Sequence, residues 1–172
     1  MWRAVSHTPA GRLVAPMDAP LLVHATAVAI DGRTVLLRGP SGSGKSDLGL
    51  RLIDAGARLV SDDQSELRRI GDRVLVRAPA TIFGLIEVRG VGIVRLPALS
   101  DAPLALIADL VAPDRVERLP QPRRERVLGL DVPVVAIAPF EASAVAKLRA
   151  ALLTPPEPIE GSPPTREGGG TA

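Results

Sequence analysis

The octapeptide Gly39-Pro40-Ser41-Gly42-Ser43-Gly44-Lys45-Ser46 constrains the fold of this chain more than any other segment. It fits G-x-x-x-x-G-K-[ST] at every fixed position, the pattern of a phosphate-binding loop set between a strand and a helix. Gly42 and Gly44 admit backbone conformations with φ > 0 that a side chain resists. Successive N–H groups then point inward as a nest for anionic oxygens, and a helix opening near Lys45 adds its positive dipole end. Ser46 offers a hydroxyl to Mg2+. Of the 21 cationic side chains only Lys45 and Lys147 are lysines, the rest being arginines. A compact ammonium reaches between phosphates as a point charge, whereas a planar guanidinium suits bidentate clamping. Nucleotide-dependent chemistry is therefore expected.

The 172 residues suffice for one domain with a hydrophobic core, and 46% hydrophobic with 23% charged residues is ordinary for a globular protein. Aromatics make up 2%, so Leu, Val, Ile and Ala must fill the core. Few aromatics disfavour nucleic-acid binding on stacking platforms. A net charge of +2, with only the Arg123, Arg124, Arg126 cluster as a basic group, leaves a weak polyanion footprint, so no nucleic-acid partner is expected. The absence of cysteine excludes disulfides, thiolate zinc sites and cysteine nucleophiles. The longest apolar stretch, around Leu21–Ile30, is interrupted by His24 and too short to span a bilayer, and the first twenty residues lack the apolar core of a signal peptide. A cytoplasmic protein without a membrane partner is the expectation.

Residues 1–18 read as an irregular leader and 154–172 as a Pro/Gly-rich tail, with one domain over 19–153 between them. Leu21–Ile30 and Thr34–Arg38 read as strands joined by the Asp31-Gly32 turn. Lys45–Ala55 reads as an amphipathic helix with Leu48, Leu52 and Ile53 inward, followed by a strand at Arg58–Ser61. Ser65–Ile70 and Arg73–Arg77 form a further hairpin pattern. Strands are expected at Ile93–Leu96, Leu104–Val111, Arg126–Leu128 and Val132–Ala138, with a closing helix at Glu141–Leu152. Hairpins combined with one strand–loop–helix–strand unit predict an α/β fold on a mixed sheet.

Asp62 and Asp63 follow the strand after the loop and helix, a spacing that brings carboxylates to the phosphate end of the first strand. Neighbours in extended chain point oppositely, so one is expected to act as a base and the other to hold metal or a water. Glu87, an acid among apolar neighbours in Leu85-Ile86-Glu87-Val88-Arg89-Gly90-Val91-Gly92, is either a buried carboxylate compensated by Arg89 or Mg2+, or a residue on the wet face of a strand. His24 stands in an apolar strand, where a lone histidine is usually structural.

Taken together, His24, Gly39–Ser46, Arg58-Leu59-Val60-Ser61-Asp62-Asp63 and above all Ile86-Glu87-Val88-Arg89-Gly90-Val91-Gly92-Ile93 resemble the HPr kinase/phosphorylase family over about residues 20–152. The resemblance implies a core similar to phosphoenolpyruvate carboxykinase, a homo-hexamer, and ATP- and Mg2+-dependent phosphorylation of a serine on the phosphocarrier protein HPr. It implies that Lys45 binds phosphates within the Gly39–Ser46 loop, that Ser46 and Glu87 hold Mg2+ with support from Asp63, that Asp62 is the base toward the serine hydroxyl, and that His24 borders the transferred phosphate. The chain looks like a short form consisting of the catalytic domain. Longer members carry a basic loop tied to phosphorolysis where this chain reads Ala138-Pro139-Phe140-Glu141-Ala142-Ser143. Phosphate attack needs cationic clamping, so phosphorolysis is doubtful and the kinase direction is expected. Two other readings fit the loop: a small-molecule kinase using Arg123–Arg126 as a lid, and a nucleotide-sensing module with little turnover.

Overall fold

The computed structural model describes residues 19–153; the leader and the tail lie outside the described residues. The elements run β1 (Leu21–Val23), β2 (Ala25–Ile30), β3 (Arg33–Arg38), α1 (Lys45–Asp54), β4 (Arg58–Ser61), β5 (Ser65–Ile70), β6 (Arg73–Arg77), β7 (Leu85–Val88), β8 (Gly92–Arg95), β9 (Ala102–Leu110), β10 (Arg123–Val127), β11 (Leu130–Ile137) and α2 (Ala144–Leu153). Leu21–Ile30 is thus two strands, because the chain bends at His24. On one side of the bend β1 pairs with β5, and on the other β2 pairs with β3 and β4. The closing helix starts at Ala144 rather than Glu141, since Ala138–Ser143 is taken up by turns that include a bond from the Ala144 amide to the Glu141 carbonyl.

Every residue of β2 is buried, and its alternation of size explains how. Ala25, Ala27 and Ala29 face a layer containing Leu67, Val74 and Val76 from β5 and β6. Val28 and Ile30 face Leu48 and Leu52 of α1 and Leu148 and Leu152 of α2. Alanines let the β5–β6 part of the curled sheet approach closely, while the larger residues fill the space beneath the helices. Ile53, expected inward, packs only partly buried at the margin of the helical side.

The β3–α1–β4 crossover does not place β4 directly beside β3. Strand β2 lies between them, antiparallel to both, because the β2–β3 hairpin already occupies that edge. Strands β3 and β4 are therefore parallel, and β9 and β11 continue the same direction on the other side of β3. The carboxyl ends of β3, β4, β9 and β11 consequently share one edge with the amino end of β2. That edge collects the loop, the Asp pair and His24. The sheet curls, with β6 reaching the start of β9 through the pairs Leu75–Pro103 and Val76–Ala102. A separate hairpin, β7–β8, carries Glu87, which settles its alternative readings in favour of an exposed position on a strand.

Candidate functional site

The loop and helix follow local rules. Gly42 and Gly44 sit at φ of 80° and 96°, and Gly44 caps α1 without any side-chain hydrogen bond to the helix amides. The first turn of α1 therefore offers its N–H groups to the cleft. Lys45 is 6% exposed, and its ammonium donates to the carbonyls of Gly39 at 2.7 Å and Pro40 at 3.0 Å. The Ser43 hydroxyl is buried with no partner among the described residues, so the loop retains a donor to give. A cleft of about 490 Å³ opens here, bounded by the loop, Asp63, Glu87 and Phe140.

Asp62 and Asp63 diverge sharply, but not through extended backbone. The Gln64 amide bonds the Asp62 carbonyl at 2.7 Å, closing a tight turn around Asp63 at φ 65°. Aspartate tolerates this left-handed conformation better than most residues, at some cost in strain. The turn sends Asp62 inward, where it is 6% exposed. Its Oδ1 accepts from the Thr26 hydroxyl at 2.8 Å and the Ser46 hydroxyl at 2.7 Å, and its Oδ2 accepts from the Glu87 amide at 2.9 Å. Asp63 points outward with its side chain 67% exposed, and its Oδ1 lies 2.6 Å from His24 Nε2. Because a carboxylate only accepts, Nε2 carries the proton in that bond.

Thr26 was missed by pattern reading, yet it couples the two acids: it donates to Asp62 and accepts from the Asp63 amide at 3.3 Å. Its signal was a lone hydroxyl in an otherwise apolar strand. Gly49 lets α1 close over it, since a Cβ there would stand 3.1 Å from Thr26 Cγ2. Glu87 is exposed on β7 and lines the cleft, so it is not a buried acid needing compensation by Arg89. Among the described residues, no group of three or more His, Cys, Asp or Glu side chains is gathered to hold a metal alone. The Ser46 hydroxyl and the Asp62 and Glu87 carboxylates are nevertheless hard oxygen donors of the kind Mg2+ takes beside phosphate oxygens and water.

On the far side of the loop, Arg38 ends β3 immediately before Gly39. Its Nε donates to Asp109 at 2.8 Å, and its two terminal nitrogens clasp Glu125 at 2.7 and 2.8 Å. The hydrogen bonds from Arg38 hold the Glu125 carboxyl below its ordinary value of 4.5. The bond to Glu125 in turn raises the guanidinium further above its usual range. A depressed acid contributes stability above its unfolded pKa and loses it as pH falls through the folded one. Glu125→Gln should therefore lower Tm by about 2–3 °C near neutral pH, the modest size of a half-exposed pair. The gap should close below about pH 4.5, and a pH-independent gap in melting curves would contradict this origin. Arg123–Arg126, read as part of a mobile lid, lies within strand β10 paired to β11, with Arg123 turned toward Asp109. A strand held in a sheet is poorly suited to close as a lid.

These features define a mixed α/β protein in which a glycine loop opening a helix meets paired carboxylates at one edge of a curled sheet. The chain belongs to the HPr serine kinase C-terminal domain family, whose model matches residues 17–148. It is 46% identical over 90 residues to an HPr kinase/phosphorylase from an Exiguobacterium species, covering 52% of this chain and 28% of the relative. It is 39% identical over 128 residues to an HPr kinase/phosphorylase from Leptothrix cholodnii, covering 67% of this chain and 39% of the relative. The chain thus spans well under half the length of these relatives. The structure of the Hpr(Ser) kinase/phosphatase from Coxiella burnetii superposes with a TM-score of 0.68 at 29% identity, covering 77% of this chain and 88% of that one.

Proposed function

We propose that the chain is an ATP- and Mg2+-dependent protein serine kinase acting on an HPr-like phosphocarrier in the cytoplasm. The observation that carries this reading is the junction of Ser46, Asp62 and Glu87 at the loop, with an outward Asp63 on the same cleft. The Gly39–Ser46 backbone and Lys45 bind the triphosphate. Ser46 and Glu87 hold Mg2+ with Asp62 behind them, and the ion neutralises charge on the phosphates.

The geometry favours exchanging the roles that the family resemblance assigns to the two aspartates. A carboxylate has about four lone-pair sites, and three of those on Asp62 are already taken. Asp63 keeps Oδ2 free toward solvent while His24 fixes its other oxygen. Asp63 is thus the base in this reading: a serine oxygen attacks the γ-phosphorus as its proton passes to Asp63 Oδ2. The P–O bond to the β-phosphate breaks, and ADP leaves. His24 orients Asp63 and borders the transferred group. The stretch Ala138–Ser143 has no cation of its own, which favours the kinase direction over phosphorolysis.

Incubation with purified HPr, γ-labelled ATP and Mg2+ tests the reading. The expected result is label on a single HPr serine. ATP consumed with label only on a small metabolite would favour the small-molecule kinase, and tight ATP binding without transfer would favour the sensor.

A further inference from the structure

The chain has only one Trp and two Phe, and Phe140 is 71% exposed while aliphatic residues fill the core. A phenylalanine ring left in water forfeits the stabilisation of burial, so its position calls for a reason. Phe140 stands on the rim of the phosphate cleft. The far edge of its ring rests on the loop: a methyl group at Gly44 would meet Cζ at 2.8 Å and Cε1 at 3.1 Å.

The backbone on either side of the ring is tied down. The Pro139 carbonyl accepts from Arg51 of α1, which also holds Asp47 at 3.0 Å. The Glu141 carboxylate accepts from Lys147, the second of the two lysines, at 2.6 Å. Phe140 is thus mounted on an anchored turn. The lining of the cleft is chemically mixed: Lys45, Ser46, Asp63 and Glu87 contribute polar groups, and Leu50, Val88 and Phe140 contribute apolar surface. A nucleotide likewise combines the two, with an anionic end and a flat aromatic end.

We infer that Phe140 is the platform on which the base of the bound nucleotide stacks. The inference rests on the proposed ATP-binding role of the loop and adds the recognition of the base. Stacking uses the π-face that every base possesses and reads no hydrogen-bonding edge. A ring in this position should therefore accept adenine and guanine alike.

The test compares ATP, GTP and inorganic tripolyphosphate by calorimetry on the full chain, with Phe140→Ala and Phe140→Trp, the latter in a Trp2→Phe background. The unmodified chain should bind both nucleotides about tenfold more tightly than tripolyphosphate. Phe140→Ala should erase that advantage and leave tripolyphosphate affinity unchanged. Phe140→Trp should retain the advantage, and its fluorescence should be quenched by ATP but not by tripolyphosphate. Equal weakening of all three ligands by Phe140→Ala would reduce the ring to a brace for the loop and overturn the inference, as would unchanged ATP affinity. In both cases triphosphate binding, and with it the kinase reading, would survive. Failure of the unmodified chain to bind any of the three would overturn both.

Discussion

Replacing Lys45 by alanine is expected to weaken ATP binding by about one to two orders of magnitude and to reduce phosphoryl transfer further still. A hydrogen bond to a charged group is worth about 1.5–3 kcal/mol, which sets the binding loss. The additional loss in transfer follows because a cation at the terminal phosphates stabilises charge most where it develops. The ammonium already donates to the Gly39 and Pro40 carbonyls, so it sits within the loop that must wrap the phosphates. Lys45→Arg should not rescue function, although this chain uses arginine at almost every other cationic position. At 6% exposure the site has little room for a planar fork, and the two carbonyls suit a compact donor. Calorimetric titration of both variants, with circular dichroism to confirm folding, checks the claim. Undiminished ATP affinity in folded Lys45→Ala would remove the basis of the proposed function.

Much of the local structure was legible because its signals are local. Gly42 and Gly44 take the positive φ their positions require, α1 starts at Lys45, and the hairpins at Asp31-Gly32 and Gly71-Asp72 fall where turn chemistry placed them. What escaped depends on partners remote in sequence. Nothing near His24 announces that β1 will pair with Leu67 and its neighbours while β2 pairs elsewhere, because only the tertiary sheet curl separates the two. The insertion of β2 between β3 and β4 is likewise a matter of which edge was free. The pairing of β7 with β8 was not legible either: Ile93–Leu96 read as a strand and Glu87 as a residue either buried or on a wet strand face, but the turn at Gly90 and the start of β8 at Gly92, both at positive φ, did not announce a hairpin. At the site, the residue types were visible, but the burial of Asp62 and the exposure of Asp63 were not. The γ-type turn that buries Asp62 and exposes Asp63 depends on a hydrogen bond from Gln64, and an Asp-Asp pair after a strand does not specify it.

The proposed division of roles between these two acids yields the second large effect, a contrast between neighbouring aspartates. Asp63→Asn keeps an oxygen for His24 and a side chain that tolerates left-handed backbone, but it cannot take a proton. It should fold normally, bind ATP with little change and lose about 10²–10⁴-fold in the rate of transfer to HPr. Asp62→Ala should fail differently. The Thr26 hydroxyl, the Ser46 hydroxyl and the Glu87 amide would together lose their acceptor in a site 6% exposed. Stability should fall by about 3 kcal/mol, or roughly 6–12 °C in Tm for a domain of this size. Asp62→Asn keeps an acceptor for the two hydroxyls but turns an amide donor toward the Glu87 N–H, so it should cost less stability than Asp62→Ala while still removing the charge. In the folded variant the Mg2+ concentration giving half-maximal transfer should rise about 10–100-fold. Substantial turnover in Asp63→Asn, with complete loss in a stably folded Asp62→Asn that no Mg2+ concentration restores, would return the base to Asp62. The buried carboxylate would then have to release one of its three donors before each transfer, and the rate would report that opening.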